Sequence, residues 1–152
     1  MKELKITPIK NGTVIDHIEA GMAMKVAKLL GIPDADTHST VSIAMFVKSS
    51  KMGYKDILKI EDRELKKREV NIISLIAPNA SISIIQDEGV TKKLKMSLPK
   101  TISGIAKCSN PNCITNKEEP LETEFTVTDG KEVKLRCIYC DRYVSDILES
   151  IV

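Results

Sequence analysis

The chain has 152 residues, 42% of them hydrophobic and 29% charged, which is typical of a globular protein with one domain or two small ones. Tryptophan is absent and aromatic residues make up only 3%, so aliphatic side chains and methionine must form the core. No apolar segment approaches the roughly 20 residues needed to cross a bilayer, and the N-terminus lacks a signal-peptide pattern. We therefore expect a cytoplasmic protein that does not bind membranes.

The net charge of +2 is unevenly distributed along the chain. Residues 1–100 contain 17 Lys and Arg against 12 Asp and Glu, a balance of +5, whereas residues 101–152 contain 6 against 9, a balance of −3. The first part is thus better suited to an anionic partner than the second. A chance asymmetry of solvated surfaces would explain the same numbers.

The first hundred residues alternate between β-type segments and two helical segments. In chain order the predicted segments are strands at residues 4–9 and 13–18, a helix at 20–30, strands at 40–47 and 54–61, a helix at 64–77, and strands at 80–86 and 90–96. The order β-α-β-β-α-β plus a terminal strand is typical of the ferredoxin-like fold, one sheet with two helices on one face. We predict an α+β chain whose first domain spans residues 1–97 and ends at the hinge Ser97-Leu98-Pro99.

Residues 101–152 differ in composition, because all four cysteines lie there. Alternating residues at 125–128 and 133–136 flank Asp129-Gly130, which predicts a β-hairpin with a tight turn. Residues 144–152 could form a short helix or a strand. We predict a small, mainly β second domain over residues 101–152.

The cysteines follow the pattern Cys108-x4-Cys113-x23-Cys137-x2-Cys140, two close pairs on either side of the predicted hairpin. Folding the hairpin would bring the pairs together as four thiolate ligands of one structural zinc ion, with no open position for catalysis. A redox pair at Cys137 and Cys140 and an iron–sulfur cluster are weaker alternatives. A lobe of about 50 residues is too small to be held together easily by its own core, so we expect it to need the metal.

Asp16 and His17 follow the β-type stretch that begins at Gly12. Adjacent side chains of a strand point to opposite faces, so these two cannot address one reacting atom unless the strand bends. No nucleophile is marked near them. A surface hydrogen-bonding pair, a part of a ligand pocket and a catalytic dyad are therefore the alternatives.

Lysines recur on the predicted sheet. Lys55, Ile57 and Lys59 share one face of their strand, and Lys93 lies on the last strand of the same lobe. Solvated surface lysines are the ordinary explanation, whereas several ammonium groups aimed at one point would suit a polyphosphate. The chain has neither a GxxxxGK[ST] nor a GxGxxG pattern, so such a site would be of neither the Walker nor the Rossmann type.

Several stretches together match one known family nearly end to end. They are GTVIDHI at 12–18, MGYKDILKIE at 52–61, Ala77-Pro78, Ser97-Leu98-Pro99, and the cysteine segments Cys108…Asn112-Cys113-Ile114 and Cys137-Ile138-Tyr139-Cys140. In these residues the chain resembles the regulatory chains of aspartate carbamoyltransferase. The resemblance implies a non-catalytic, allosteric subunit of that enzyme, which acts in the first committed step of pyrimidine biosynthesis.

The resemblance also implies a nucleotide site in residues 1–97, with ATP and CTP as effectors and UTP with Mg²⁺ as a further candidate. The contacting residues that it implies are Ile9, Asp16, His17, Lys55, Lys59, Ile85, Val90 and Lys93. Asp16 and Lys59 would contact the ribose, while His17 and Lys93 would lie near the phosphates. Three other positions, Pro8, Ser83 and Glu88, differ from the family's more familiar residues.

The implied partners are proteins. The zinc lobe would dock on catalytic chains arranged as trimers, and regulatory chains would pair with one another through their nucleotide domains. A zinc-ribbon protein that binds nucleic acid is the alternative, and it would need basic and aromatic residues around the cysteines. The acidic balance of residues 101–152 argues against it.

Overall fold

The computed structural model describes residues 10–32, 39–117, 121–129 and 132–151. The chain forms two compact units, Met1–Met96 and Ser97–Val152. The strand predicted at residues 4–9 lies outside the described residues. Each unit has its own sheet and is described in turn.

The first unit contains five strands and two helices in its described part. They are β1 (Gly12–Glu19), α1 (Ala23–Leu29), β2 (Val41–Ser49), β3 (Gly53–Glu61), α2 (Lys67–Ile76), β4 (Ser81–Gln86) and β5 (Gly89–Lys95). The sheet order is β2-β3-β1-β4-β5, with every neighbouring pair antiparallel. This is the predicted ferredoxin-like arrangement, with β5 added outside β4.

Both helices pack on one face of this sheet. Val26 and Ala27 of α1 and Ile73 of α2 belong to one buried cluster, which also contains residues from three strands. The strand residues of the cluster are Ile15, Ile18, Leu58, Ile60 and Ile82. Because side chains alternate along a strand, the residues between these positions lie on the opposite face, away from α1 and α2, which we call the open face.

The helices begin later than their sequence pattern predicts. Gly21 has a φ of +92°, which is incompatible with a right-handed helix, so α1 begins at Ala23 rather than at residue 20. For α2, the Glu69 carboxylate accepts the backbone N–H of Lys66 at 3.0 Å, and the helix begins at Lys67. The α2 helix ends at Ile76, two residues before Pro78.

The second unit is built on a three-stranded antiparallel sheet in the order β6-β7-β8, namely Thr101–Ser103, Glu124–Asp129 and Val133–Cys137. Phe125, Leu135 and Cys137 have no exposed surface and form its centre. The predicted hairpin is confirmed, since Asp129 pairs with Val133. Ile147–Ser150 forms a short helix, α3, so the tail adopts the helical alternative before Ile151 pairs with Ala106.

None of the helices in the described part of the chain combines the length and the apolar character that a membrane span requires.

Candidate metal centre and anion-binding face

The four cysteines converge at one end of the second unit. All four Sγ atoms lie within 4.8 Å of one another, although the cysteines are as far apart as residues 108 and 140 in the chain. The Sγ atoms of Cys108 and Cys140 are 3.6 Å apart, and those of Cys113 and Cys137 are 3.7 Å apart. These distances are far longer than the S–S bond of about 2.05 Å in a disulfide, so the thiols are free.

The spacing fits a tetrahedral metal ion. Four thiolates at metal–sulfur distances of about 2.3 Å would stand about 3.8 Å from one another, close to the two observed distances. Three of the cysteines are buried and Cys140 is half-buried, so protein rather than water surrounds the donor set. The site therefore provides four sulfur ligands for a structural metal ion and leaves no position for a substrate.

Local hydrogen bonds shape the loop between the first two cysteines. The Asn110 side chain accepts the N–H of Asn112 at 3.0 Å, and the Asn110 carbonyl accepts the N–H of Cys113 at 3.0 Å. The side-chain amide of Asn116 donates to the carbonyls of Cys108 and Asn110 at 3.1 and 2.7 Å. These bonds fix the turn that aims both sulfur atoms inward, and they depend on asparagines placed as turn residues.

The protein environment shifts the pKa values of the four thiols in different directions. Burial is the main reason that the pKa of Cys108 rises to about 12. Burial also favours the neutral thiol of Cys140, but the N–H of Arg142 and the side chain of Asn110 lower its pKa to about 7. Four adjacent thiolates repel one another, and the positive charge of a bound cation offsets that repulsion and favours the deprotonated thiols.

Three lysines of the first unit, on β3 and β5, lie on the open face of its sheet. In β3, Asp56, Leu58 and Ile60 are buried toward the helices, which places Lys55 and Lys59 on the opposite face. Strand pairing aligns five positions in one row across the open face: Ser42, Lys59, Val14, Ser83 and Lys93. Two ammonium groups thus flank a short row of small and apolar side chains.

Asp16 and His17 lie where β1 bends. The pairing of β1 with β3 shifts between Ile15 and Ile18, and His17 adopts a φ of +57°. This β-bulge removes the strict alternation of side chains, so the two residues need not point to opposite faces. The His17 Nδ1 atom lies 3.1 Å from the Ser81 Oγ atom, and Ser81 pairs with Asp16 across the sheet.

Lys55 makes an ion pair beside this bulge. Its Nζ atom lies 3.0 Å from Oδ1 and 3.2 Å from Oδ2 of Asp16. Burial alone would raise the pKa of Asp16, but hydrogen bonds from Lys55 and from the His17 N–H outweigh it, and the pKa falls below 3.8. Asp16 is therefore ionised at neutral pH, and it orients one of the lysines on the open face.

Ile85 and Val90 lie at the other end of the open face. They pair with each other, and Ile85 also pairs with Gly12 of β1. Ile85 is 8% exposed and Val90 is 61% exposed. Ile9 lies outside the described residues.

Two serines of β4 were not among the predicted contacting residues, although Ser83 was noted from the sequence as a position that differs from the family's familiar residue. Ser81 contacts His17, and Ser83 lies in the row between Val14 and Lys93. No local pattern marks them, because their place depends on strand register. The spacing of Lys55 and Lys59 in β3 could be read from the sequence, whereas their partners on neighbouring strands could not.

Comparison with known proteins assigns both units to one family. A family model described as the allosteric domain of the aspartate carbamoyltransferase regulatory chain matches residues 4–97, and one described as its metal binding domain matches residues 100–147. The chain belongs to the family of aspartate carbamoyltransferase regulatory chains. A regulatory chain from Thermoplasma volcanium is 52% identical over 145 residues, covering 95% of each chain.

Other members of the family are similarly close. The regulatory chain from Methanothermobacter thermautotrophicus is 50% identical, covering 97% of this chain and 94% of the relative. The one from Methanocaldococcus jannaschii is 48% identical, covering 97% of each. This regulatory chain is thus a non-catalytic subunit of a pyrimidine-pathway enzyme and associates with its catalytic chain. The nucleic-acid alternative is not favoured.

Proposed function

We propose that the open face of the first unit binds a nucleoside triphosphate of the ATP or CTP type and that the second unit, held by zinc, docks on catalytic chains. The observation that carries the first part is the placement of Lys55, Lys59 and Lys93 on one face of one sheet, beside Asp16. Neighbouring strands are about 4.8 Å apart, so the lysines of the row sit three strand spacings from each other. Lysine side chains are long enough to span this separation from both sides and converge on one polyphosphate.

The two ends of the open face suit the two ends of a nucleotide. Lys55, Asp16 and His17 lie at the charged end, whereas Val90, beside the nearly buried Ile85, offers apolar surface for a base. Asp16 would accept ribose hydroxyl groups, and His17 and Lys93 would face the phosphates. UTP with Mg²⁺ could occupy the same charged surroundings, since the cation would screen additional phosphate charge.

Zinc is the metal that we propose for the cysteine site, one ion per chain. The donor set of four sulfurs and the near-tetrahedral spacing support it. Exposed apolar side chains flank the cysteines, namely Ile114 at 51%, Ile138 at 44% and Tyr139 at 45% exposure. An exposed apolar surface beside a rigid metal site suits docking onto another protein.

The assembly that we propose has regulatory chains paired through their first units and zinc units bound to catalytic trimers. Nucleotide binding would shift the equilibrium between two states of the assembly by its differential affinity for them. A coupling of about 1–3 kcal/mol is typical of such systems. The domain roles would be a nucleotide domain over residues 1–97 and a zinc domain over residues 101–152.

Replacement of Lys59 by Ala tests the nucleotide site. Loss of one charge-assisted contact should weaken CTP and ATP binding roughly tenfold, as measured by titration calorimetry on the full chain. Lys25→Ala is the matched control, because Lys25 is exposed on α1, away from the open face. Equal affinity of wild type and Lys59→Ala would contradict the site, and no binding by wild type would contradict nucleotide regulation altogether.

A further inference from the structure

Asp56 of β3 is a carboxylate with no exposed surface. Its Oδ2 atom accepts the backbone N–H groups of Gly21 at 2.9 Å and Ala23 at 3.0 Å, and its Oδ1 atom accepts the N–H of Phe46 at 2.9 Å. A buried carboxylate is costly unless hydrogen bonds compensate for lost water, and three N–H donors do so here. One side chain of β3 thereby binds two other segments of the chain, the turn before α1 and strand β2.

The sheet is irregular on both sides of Asp56. Both neighbours of β3 bulge opposite the same short stretch: Asp16 and His17 of β1 face Ile57, and Met45 and Phe46 of β2 face Asp56. His17 and Phe46 both have a φ of +57°. Non-glycine residues rarely adopt this conformation, and it persists only where the surroundings enforce it.

The Asp56 carboxylate supplies what each bulge lacks. A bulged residue loses its regular ladder partner, and the Phe46 N–H finds its acceptor in Oδ1 of Asp56. On the other side, Gly21 and Ala23 follow directly on β1, so their bonds to Oδ2 fix the chain just after the bulge at His17. The position of β1 relative to β3 at this end of the sheet therefore depends on Asp56.

We propose that Asp56 is a positioning residue for the nucleotide site on the open face. It does not touch the ligand, since its side chain points to the buried face. Its carboxylate instead fixes the bulged geometry in which Lys55, the residue next to it, meets Asp16, and in which His17 reaches Ser81. This inference rests on the proposed nucleotide binding and adds a residue that determines its geometry.

A purely structural role as a helix cap would explain part of the contacts. Acceptance from Gly21 and Ala23 at the start of α1 is what a capping carboxylate does. The bond to Phe46 and the coincidence of two bulges beside Lys55 are not needed for a cap. The two roles differ in what they predict for ligand affinity at equal stability.

The test is Asp56→Asn in the full chain. An amide keeps the shape but presents an NH2 group to at least one N–H donor, so the bulges should loosen. We expect CTP affinity by calorimetry to fall about tenfold and the imidazole NMR signals of His17 to shift. Ser74→Ala is the control, because Ser74 is equally buried but its hydroxyl bonds Asn71 within α2. Its affinity should stay within about twofold of wild type.

Hydrogen exchange on the wild-type chain provides a measurement that does not require the variant to fold. If local opening of the Asp56 bonds abolishes binding, CTP at 100 times its Kd should slow exchange of the Gly21, Ala23 and Phe46 amides about 100-fold. The Ala77 amide, which bonds Ile73 at the end of α2, should change little.

The outcomes separate the inference from the function beneath it. A wild-type chain that binds no triphosphate would overturn both. A wild-type chain that binds, with Asp56→Asn folded and equal in affinity, or with exchange at the three amides unaffected by CTP, would overturn the role of Asp56 alone.

Discussion

At the scale of single residues, conformation rather than residue type creates much of this site. His17 would be an ordinary strand residue if β1 were regular, and its positive φ brings its ring to Ser81 instead. Asp16 likewise gains its role from Lys55, which is 39 residues away in the chain. Contacts of this kind arise from strand register and cannot be read from neighbouring letters of the sequence.

The Asp16–Lys55 pair makes a pH-dependent contribution to stability. Because the folded-state pKa of Asp16 lies below 3.8, its contribution is present above that pH and is lost as the pH falls through the folded-state value. We expect Asp16→Asn to lower the free energy of unfolding by up to about 1 kcal/mol at pH 7 and by less near pH 3. Urea titrations of both proteins measure this, and a difference that stays constant with pH would argue against it.

Gly12 is required by a close backbone approach. Its φ is +144°, and a Cβ atom there would lie 2.1 Å from the carbonyl oxygen of Ile60. We expect Gly12→Ala to destabilise the chain by about 3 kcal/mol or more, measured by chemical unfolding. Gly53→Ala is the comparison, since Gly53 has a φ of +81° with open space around it. It should cost only about 1 kcal/mol, and equal losses would show that strain alone, not contact, matters at Gly12.

At the scale of elements, the β7–β8 hairpin and the two cysteine loops meet at the four sulfur atoms. Phe125 pairs with Cys137, so a core residue and a sulfur ligand share adjacent positions in the sheet. Thr115 also donates its hydroxyl hydrogen to the Cys113 sulfur at 3.2 Å. Loss of the metal should therefore loosen the sheet and not only the loops.

Cys113→Ala tests this dependence. With three sulfur ligands left, the chain should lose stoichiometric zinc and no longer bind catalytic chains, because the exposed docking residues lose their support. Metal analysis and size-exclusion chromatography with catalytic chains measure the two effects. Thr126→Ala, an exposed change in the same sheet, should alter neither. A metal-free variant that still assembles would show that zinc is not structural.

The sequence predicted the order of the described elements and the pairing of the cysteines around a hairpin, but not the bulges. Hydrophobic alternation located β3 and β4, and the cysteine spacing located a four-sulfur site whose atoms the fold does bring together. Strict alternation would place Val41, Ile43, Met45 and Val47 on one face of β2, yet Val41 and Ile43 pack against the core whereas Met45 is 48% exposed. The bulge before Val47 causes this, and no glycine marks it because Phe46 itself adopts the positive φ.

At the scale of the whole molecule, one chain joins a basic unit that matches the family's allosteric domain to an acidic unit that matches its metal binding domain. Residues 1–100 carry a balance of +5 and residues 101–152 a balance of −3. This division suits an anionic small ligand on one side and a protein surface on the other. A regulatory subunit needs both surfaces, because an effector bound to it can change the enzyme only if the same chain also binds the catalytic subunit.

Thermodynamic linkage gives a test at this scale. If CTP changes the affinity of the assembled enzyme for carbamoyl phosphate, then carbamoyl phosphate must change the affinity for CTP by the same factor, about 5–150-fold for a coupling of 1–3 kcal/mol. Equilibrium titrations of the complex with each ligand, in the presence and absence of the other, measure both factors. The regulatory chain without its partner should show no such shift, and a factor of one in both titrations of the complex would contradict allosteric coupling between the two sites.

Strand β5 at the rim of the sheet carries a further implication. An edge strand offers unpaired N–H and C=O groups to any other extended chain, and lysine is among the residues that natural proteins use to discourage such pairing. Lys92 and Lys93 occupy this strand and are exposed. Lys93, which would attract a soluble anion, thus also protects the last strand of the described sheet against aggregation, together with Lys92, so neutralising both would endanger solubility as well as regulation.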